Sequence, residues 1–263
     1  MTGLLDQQVA IVTGAGSGIG RASALRFAAE GARVVIADVR LGKAQATLDE
    51  VRAAGGTAIA HEVDVADAGQ VERMVQAAVD EYGGLDVLFN NAATTRIGSA
   101  VELSAEDWSM IWNTNVSSIF FGAKYAVPVM AARGGGSILS TASVSGLAAD
   151  AGQVAYAATK AAVINLTRAL AVDHAAQGIR ANCLCPGMTA TPALVHSLKA
   201  DDRLREIGTA APPLRRLAEP AELAAAAVWL ASRESSYVTG ETLVVDGGLT
   251  AQTQFSQIAN QPR

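Results

Sequence analysis

The sequence has few cysteines, and this shortage argues against a fold held together by disulfides. Cys183 and Cys185 are the only two in 263 residues, whereas small secreted domains that depend on disulfides carry many more. Residues two apart in a strand point to the same face, and a C-x-C pair without nearby histidines is weak evidence for a metal site. We interpret both as reduced, buried cysteines of a cytoplasmic protein.

Histidine and charge are scarce as well. The three histidines, His61, His174 and His196, share no spacing typical of a metal site or a catalytic triad, so we predict no metal. Charged residues make up 17% of the chain, and the formal net charge is −5. Such a chain lacks the basic field that holds nucleic acids or anionic membranes, and we expect neither as a partner.

Long apolar runs are missing too. Residues 1–8 show neither a basic start nor an apolar run, and no apolar stretch is long enough to cross a bilayer. We therefore expect a cytoplasmic protein with no membrane contact. Half of the residues are nevertheless hydrophobic, which is enough apolar surface to offset the conformational entropy lost in folding.

The apolar residues that are present form short runs, which alternate with helix-length segments. The runs are apolar throughout, as strands buried on both faces of a parallel sheet require. This alternation predicts a Rossmann-like, doubly wound α/β fold, with a seven-stranded parallel sheet, helices on both faces and one domain over residues 1–263. The predicted strands are Gln8–Thr13, Arg33–Ala37, Thr57–Val63, Asp86–Asn90, Ser137–Thr141, Ile179–Cys185 and Thr242–Val245; the predicted helices are Ile19–Glu30, Gly42–Ala54, Ala68–Tyr82, Ala105–Arg133, Val154–Ala176 and Pro220–Ser232.

Two segments depart from this pattern. Between Pro186 and Pro220 the chain is interrupted by prolines and has a charged middle. This composition predicts a mobile lid over a site, at about residues 188–218, and an ordinary surface excursion is the alternative. After the last strand, a glutamine-rich tail is expected at about residues 250–263.

The long helices are apolar around most of their circumference. Val154–Ala176 and Ala221–Ala231 are rich in alanine on more than the one stripe that faces a sheet. A second buried face, formed against another subunit, explains this pattern. Unusually tight packing within the chain is the alternative.

A glycine-rich turn joins the first strand to the first helix. It reads Thr13-Gly14-Ala15-Gly16-Ser17-Gly18-Ile19-Gly20, with the spacing G-x-x-x-G-x-G rather than G-x-G-x-x-G. Glycines at such a turn let the backbone approach a pyrophosphate, whose negative charge the N–H groups and dipole of the helix start then bind. The turn therefore predicts a dinucleotide site.

Asp38 ends the second predicted strand. A carboxylate at this place accepts hydrogen bonds from the ribose hydroxyls of adenosine and repels a 2′-phosphate. Val39 follows, where an enzyme specific for NADP often has a basic residue, so NAD is the expected cofactor. Arg40 leaves NADP open, and a plain turn residue is the alternative interpretation of Asp38.

Tyr156 and Lys160 lie four residues apart on a predicted helix and therefore share a face. Chance alone gives a minority of chains such a pair, but its chemistry is informative. A phenol is a poor base at neutral pH, and a neighbouring ammonium together with a positive nicotinamide ring favours the phenolate. Ser143, at the end of a predicted strand, is placed to hold a substrate oxygen, although it is one of several serines in this loop.

These motifs occur in one order along the chain. With Asn90-Asn91-Ala92, Asn115, Pro186-Gly187 and Asp246-Gly247-Gly248, they resemble the short-chain dehydrogenase/reductase family from about Gln8 to Leu249. The resemblance implies that Tyr156 is the general acid/base, that Lys160 lowers its pKa and binds the nicotinamide ribose, and that Ser143 positions the reacting oxygen. It also implies that Asn115 anchors a water of a proton relay, and that the long helices build a homotetramer.

The resemblance further implies which residues bind the cofactor. Asp64 and Val65 would flank the adenine, while Ala93 stands where the family usually has glycine and would crowd the cofactor or narrow the pocket. The full expected set is Gly14, Ser17, Gly18, Ile19, Gly20, Asp38, Asp64, Val65, Asn91, Ala92, Ala93, Tyr156, Lys160, Pro186, Gly187, Thr189 and Thr191, of which the last four would cradle the nicotinamide amide.

We therefore predict an NAD-dependent oxidoreductase that transfers hydride between nicotinamide and a small secondary alcohol, polyol or sugar and its ketone. The candidate substrate contacts are Ser143, Ser145, Gln153, Tyr156 and Met188. Two alternatives stay open. A 3-oxoacyl thioester reductase would use the same residues, but it is expected to prefer NADPH and to carry a basic patch for an acidic carrier protein. A non-catalytic NAD-sensing or scaffold protein need not keep all four of Asn115, Ser143, Tyr156 and Lys160.

Overall fold

Parallel strands form one seven-stranded sheet in the part of the chain that the computed structural model describes, residues 3–199 and 202–253 without the side chains of residues 202–204. The strand order is β3-β2-β1-β4-β5-β6-β7, as a doubly wound fold requires. The strands are β1 Val9–Thr13, β2 Arg33–Asp38, β3 Thr57–Glu62, β4 Val87–Asn90, β5 Gly136–Thr141, β6 Ile179–Pro186 and β7 Thr242–Val245. The predicted fold class and all seven strands are confirmed, with ends that differ by one residue at most.

Helices cover both faces of this sheet. One face carries α3, α5 and α6, and the other carries α1, α2 and α9. The helices in the described residues are α1 Gly18–Ala29, α2 Leu41–Ala53, α3 Ala68–Tyr82, α4 Ala105–Trp112, α5 Ser118–Ala132, α6 Val154–His174, α7 Pro192–Lys199, α8 Asp202–Ala210 and α9 Pro220–Ala231. No helix in the described ranges is both long and apolar enough to traverse a lipid bilayer.

The central strand β1 shows why the strands are apolar throughout. Val9 and Ile11 pack into the core with α3, α5 and α6, while Ala10 and Val12 pack into the core with α1, α2 and α9. A strand covered on both faces has no solvent side, so the alternation of polar and apolar residues disappears. Full burial of each such aliphatic side chain contributes roughly 1.5–3 kcal/mol to folding.

The chain reverses its direction of winding between β1 and β4. Strand β1 pairs with β2 on one side and with β4 on the other, so the connections leaving these two strands diverge to opposite faces. A crevice opens at the carboxyl ends of the strands at such a point, and it is the usual ligand site of this fold. The glycine turn after β1 and the segment Asn91–Ala93 after β4 lie there.

The prediction of one helix over Ala105–Arg133 is wrong in its middle. Helices α4 and α5 are separated by a π-helical turn at Asn113–Ser117. The buried side chain of Asn115 lies in this turn and is held by contacts to two other segments, which are described below. Such π turns mark functional positions in many helices.

The predicted lid contains two helices that the sequence did not indicate. Thr191 precedes α7, and its Oγ1 accepts a hydrogen bond from the backbone of Leu194 at 3.3 Å, while Pro192 occupies the first helical position. At its base, the lid is closed by backbone hydrogen bonds of Ala218 to Met188 and Ala190, both 2.8 Å long. Of the predicted tail at about residues 250–263, residues 254–263 lie outside the described part of the chain.

Candidate active site

The glycine turn forms a cradle at the start of α1. Gly14 and Gly18 adopt φ angles of +64° and +54°, which side chains other than glycine rarely adopt. Ser17 stands before the helix without capping it through its side chain, which leaves the first N–H groups of α1 without a cap from this residue. A cavity of about 820 Å³ opens beside them. These features fit a pyrophosphate group.

Gly20 has no room for a side chain. A Cβ atom there would lie 2.3 Å from the carbonyl oxygen of Gly14 and 2.6 Å from Nδ2 of Asn91, so Gly20→Ala must displace the turn. We expect it to lower the free energy of unfolding by about 1–3 kcal/mol and to weaken cofactor binding, measured by urea unfolding and by calorimetry. Gly42→Ala is the matched control, because a Cβ there meets nothing within 4 Å; equal effects of the two would contradict this explanation.

Asp38 is fixed beside this cradle. The residue is only 6% exposed, and its Oδ2 accepts a hydrogen bond from the backbone of Gly16 at 3.0 Å. Its Oδ1 accepts one from the backbone of Arg40 at 3.0 Å, while Nε of Arg40 lies 4.0 Å away. The carboxylate thus lies at the end of β2 as predicted, with the guanidinium of Arg40 beside it.

Thr13 and Asn91 tie the two sides of the crevice together. Oγ1 of Thr13 accepts hydrogen bonds from the backbone N–H groups of Asn91 and Ala92 at 2.9 and 3.1 Å. Nδ2 of Asn91 donates to the carbonyl oxygen of Thr13 at 3.0 Å. These bonds hold Asn91 and Ala92 beside the glycine turn, whereas Ala93, next along the chain, is exposed. The sequence does not predict this bridging role of Thr13, because the residues that it joins lie 78 positions apart.

Tyr156 and Lys160 lie on one face of α6, at its first turns. Lys160 is only 2% exposed, and its Nζ donates a 2.7 Å hydrogen bond to the carbonyl oxygen of Thr141 at the end of β5. The same Nζ lies 5.4 Å from the ring centre of Tyr156. A lysine this deeply buried without a carboxylate is costly, and such residues concentrate at functional sites.

Burial shifts the pKa values of both side chains. It lowers the pKa of Lys160 to about 8 and raises the pKa of Tyr156, while the Ser143 hydroxyl beside the phenol acts in the opposite direction. The sequence expectation of a lowered tyrosine pKa included a positive nicotinamide ring, whereas the raised pKa reflects the protein groups alone. Among these, desolvation disfavours the phenolate more than the neighbouring side chains favour it.

Ser143 begins a short 3₁₀ turn, Val144–Gly146. Its Oγ accepts a 3.1 Å hydrogen bond from the backbone N–H of Ser145. Because that bond uses a lone pair, the hydroxyl proton of Ser143 stays available for another oxygen. The Oγ of Ser145 in turn donates to Asp150.

Asn115 links three segments from within the π turn. Its Oδ1 accepts from the backbone N–H of Thr94 at 2.8 Å, and its Nδ2 donates to the carbonyl oxygen of Thr94 at 3.0 Å. Nδ2 also donates to Oγ1 of Thr159, the residue before Lys160, at 3.1 Å. Asn115 thus fixes the loop after β4 against the helix that carries Tyr156 and Lys160.

The segment after β6 lies next to the glycine turn. Gly187 follows Pro186, and its N–H donates to the carbonyl oxygen of Val245 at 3.0 Å. Oγ1 of Thr189 donates to the carbonyl oxygen of Gly187 at 3.2 Å. The methyl group of Thr191 lies 3.1 Å from where a Cβ of Gly18 would be, so Thr191 reaches the cradle.

The remaining predicted contacts are more dispersed. Gln153 pairs with Gly98 in an isolated bridge before α6, and the tip of Met188 lies against α8 at Gly208. Asp64 Oδ1 accepts a hydrogen bond from the backbone of Ala66 at 2.9 Å, and the neighbouring Val65 is buried. Ile19 packs on the core beneath α1.

Comparisons with known proteins agree on a family. Residues 14–250 match the sequence profile of the family described as enoyl-(acyl carrier protein) reductase. A solved structure of a short-chain dehydrogenase/reductase from Burkholderia xenovorans superposes with a TM-score of 0.93 at 40% identity, covering 96% of this chain and 100% of that one. The chain belongs to the short-chain dehydrogenase/reductase family.

Curated relatives of this dehydrogenase/reductase bear several names. The chain is 41% identical to meso-2,3-butanediol dehydrogenase of Serratia marcescens, and the match covers 94% of this chain and 96% of that protein. It is 38% identical to cyclohexanol dehydrogenase of an Acinetobacter strain, over 96% and 98%. It is also 38% identical to the 3-oxoacyl-(acyl-carrier-protein) reductase of Thermotoga maritima, over 93% and 98%. The protein is therefore an oxidoreductase of a family that uses nicotinamide cofactors.

The cysteines of this oxidoreductase are free and buried in β6, as predicted. Both lie in the core beside α5 and α6, and burial raises the pKa of Cys183 to about 11 and that of Cys185 to about 12. They are therefore neutral thiols at physiological pH. In residues 3–199 and 202–253, no three histidine, cysteine, aspartate or glutamate side chains group as a metal site would need.

Proposed function

We propose that this protein is an NAD-dependent dehydrogenase that oxidises a small secondary alcohol, polyol or sugar to its ketone. The observation that carries the proposal is the buried Lys160 amine beneath Tyr156, with Ser143 at the same end of the sheet. The family assignment supports a nicotinamide cofactor. The names of two relatives, a butanediol and a cyclohexanol dehydrogenase, support a secondary alcohol as substrate.

In the proposed reaction, the side chains hold the substrate oxygen and remove its proton. Bound NAD would supply the hydride acceptor. Ser143 donates a hydrogen bond to the carbinol oxygen, which places the hydroxyl proton next to Tyr156. Tyr156 takes that proton as general base, and the ammonium of Lys160 stabilises the phenolate that this role requires. Asn115 holds the loop after β4 against α6 through its bonds to Thr94 and Thr159.

The glycine cradle and Asp38 would hold the cofactor. The uncapped N–H groups at the start of α1 would bind the pyrophosphate, and Asp38 would accept hydrogen bonds from the adenosine ribose. Asp64 and Val65 would flank the adenine, while Pro186, Gly187, Thr189 and Thr191 would surround the nicotinamide amide.

Asp38→Ala is expected to relax the preference for NAD. Removal of the buried carboxylate removes both its hydrogen bonds to the ribose and its repulsion of a 2′-phosphate, so the ratio of kcat/KM for NAD over NADP should fall by about 10- to 100-fold. Initial rates with both cofactors measure the ratio. Arg40→Ala is the companion variant, which tests the neighbouring cation in the same way. If Asp38→Ala had the same ratio of kcat/KM for NAD over NADP as the wild type, another residue would have to set the cofactor preference.

NADH formation with a panel of secondary alcohols tests the proposed function. We expect turnover with several small alcohols and none with primary alcohols of the same length. Tight NAD binding without any turnover would instead support a cofactor sensor or scaffold.

The second candidate is a 3-oxoacyl thioester reductase, which the family description and the Thermotoga relative favour. It predicts NADPH-driven reduction of acetoacetyl-CoA, with a kcat/KM above that of any alcohol oxidation. The carboxylate of Asp38 argues against this candidate because it would repel the 2′-phosphate of NADPH, and the net charge of −5 argues against it because the carrier protein is acidic.

We also infer that the protein assembles as a homotetramer through its long helices. Val172 on α6 and Phe120 on α5 are 80% and 51% exposed, although apolar side chains of this size are usually buried. Light scattering after size-exclusion chromatography measures the mass, and a monomer of 26.9 kDa would contradict the inference.

A further inference from the structure

A serine and an aspartate form a close pair beside the catalytic serine. Ser145 lies two residues after Ser143 and is only 7% exposed. Its Oγ donates a hydrogen bond of 2.5 Å to Oδ2 of Asp150. The aspartate lies in the loop between β5 and α6 and has no part in the reaction derived above.

The direction of this hydrogen bond decides what the pair can bind. A serine hydroxyl has a single proton, and here Asp150 receives it, so Oγ of Ser145 offers only lone pairs to a further partner. An ionised carboxylate is also an acceptor only. Both groups therefore bind a hydrogen-bond donor, and neither binds a carboxylate or a carbonyl oxygen.

The loop that carries the pair is fixed at the site. The backbone of Ser145 donates to Oγ of Ser143 at 3.1 Å, so the two serines are held in one turn. Farther along, the carbonyl oxygen of Gly152 accepts a 2.7 Å hydrogen bond from the backbone of Gly98. This bond joins the Asp150 loop to the loop that follows β4.

The charge of Asp150 affects the pKa of the Tyr156 phenol. Its carboxylate contributes to the raised pKa of Tyr156, after burial as the main cause and together with Cys185. One cation of α6 and one of the loop after β4 bind other groups: Lys160 donates to the carbonyl oxygen of Thr141, and Nε of Arg96 lies 3.7 Å from Asp107.

We propose that Ser145 and Asp150 form a substrate subsite that accepts a hydroxyl on the carbon next to the reacting carbinol and repels a carboxylate at that position. This inference rests on the proposed function, because it assumes that a carbinol is held by Ser143 and Tyr156. It narrows the substrate class to neutral vicinal diols and excludes 2-hydroxy acids.

Three four-carbon alcohols test the subsite, because they differ only in the group next to the carbinol at C2. Butane-1,2-diol carries a hydroxymethyl group there, butan-2-ol a methyl group and 2-hydroxybutanoate a carboxylate. With NAD, wild-type kcat/KM for oxidation at C2 should be highest for the diol and lowest for 2-hydroxybutanoate. The value of kcat/KM should fall about tenfold or more from the diol to butan-2-ol, where a hydrogen bond to a charged group is lost. It should fall by a similar factor from butan-2-ol to 2-hydroxybutanoate, where two like charges are opposed.

Two variants test the contributions of the Asp150 charge and the Ser145 hydroxyl one at a time. Asp150→Asn removes the charge at nearly constant shape and replaces one acceptor oxygen by an NH2 donor, so both the diol preference and the discrimination against 2-hydroxybutanoate should fall about tenfold. Ser145→Ala keeps the charge, so the diol preference should fall while the discrimination against 2-hydroxybutanoate persists. Asp80→Asn is the matched control, because Asp80 is an exposed carboxylate near the end of α3, which leads to the start of β4, whereas the site lies at the carboxyl ends of the strands.

The pH dependence of kcat/KM provides a readout that loop packing alone would not change. Tyr156 must be deprotonated to accept the proton, and its pKa is raised in part by Asp150. Asp150→Asn should therefore shift the acidic limb of the profile to lower pH, whereas Ser145→Ala and Asp80→Asn should not.

The outcomes distinguish this inference from the proposed function. Substrate ratios of Asp150→Asn within twofold of wild type, or a wild type that prefers 2-hydroxybutanoate to the diol, would overturn the subsite but leave the dehydrogenase intact. A wild type that binds NAD yet oxidises no alcohol would overturn both.

Discussion

Tyr156→Phe is expected to lower kcat for alcohol oxidation by about 1,000-fold, the usual contribution of a positioned acid/base group. The substitution removes one hydroxyl and leaves the ring over Lys160, so the affinity for NAD should stay within about twofold of wild type. Stopped-flow or steady-state NADH formation measures kcat, and calorimetry measures NAD binding.

Tyr237→Phe is the matched control, because it makes the same chemical change at a fully exposed tyrosine. It should retain wild-type activity. If Tyr156→Phe also retained activity, another group would have to accept the proton and the mechanism would be wrong. If Tyr156→Phe lost NAD affinity as strongly as kcat, the residue would be a cofactor contact rather than the base.

Lys160→Met is expected to abolish most activity and, at the same time, to change how stability depends on pH. In the unfolded chain the amine has its ordinary pKa of 10.5, and in the folded protein burial lowers it to about 8. Between these values the unfolded state binds more protons, so the contribution of Lys160 to stability is present above pH 10.5 and is lost as the pH falls to 8. Between pH 8 and pH 10.5, this contribution to the free energy of unfolding is expected to change by about 3 kcal/mol.

The measurement is the difference in free energy of unfolding, wild type minus Lys160→Met, from urea titrations at several pH values. The difference should be constant below pH 8 and should rise toward pH 10.5. Lys124→Met, which removes an exposed lysine on α5, is the control for the loss of a surface charge. A difference that stays flat over this range would mean that the amine of Lys160 titrates as in the unfolded chain.

The sheet could be predicted because its determinants are local. Each strand is a short run of apolar residues between turn residues, and burial on both faces makes the runs easy to separate from amphipathic helices. The positions of the glycine turn and Asp38 were predictable for the same reason, since they lie at the ends of β1 and β2. Tyr156 and Lys160 were predictable from helical spacing together with the family resemblance.

What could not be predicted depends on contacts between distant segments. The π turn at Asn113–Ser117 accompanies the bonds of Asn115 to Thr94 and Thr159, which are 21 and 44 residues away along the chain. The pKa of Tyr156 depends on burial, which no spacing reveals. Asp150 acquires its partner only when the loop folds back on Ser145, and an aspartate in a loop has no distinctive pattern by itself.

The backbone hydrogen bonds that join Met188 and Ala190 to Ala218 affect how proteins of this architecture can diversify. Because these backbone bonds close the lid segment at its base, residues between them can be replaced, inserted or deleted without altering β6 or α9. The entropic cost of a longer closed loop grows only slowly with its length. Selection can therefore rewrite the predicted lid while the sheet and the residues at the ends of its strands stay as they are, so that one scaffold can serve proteins with different lids.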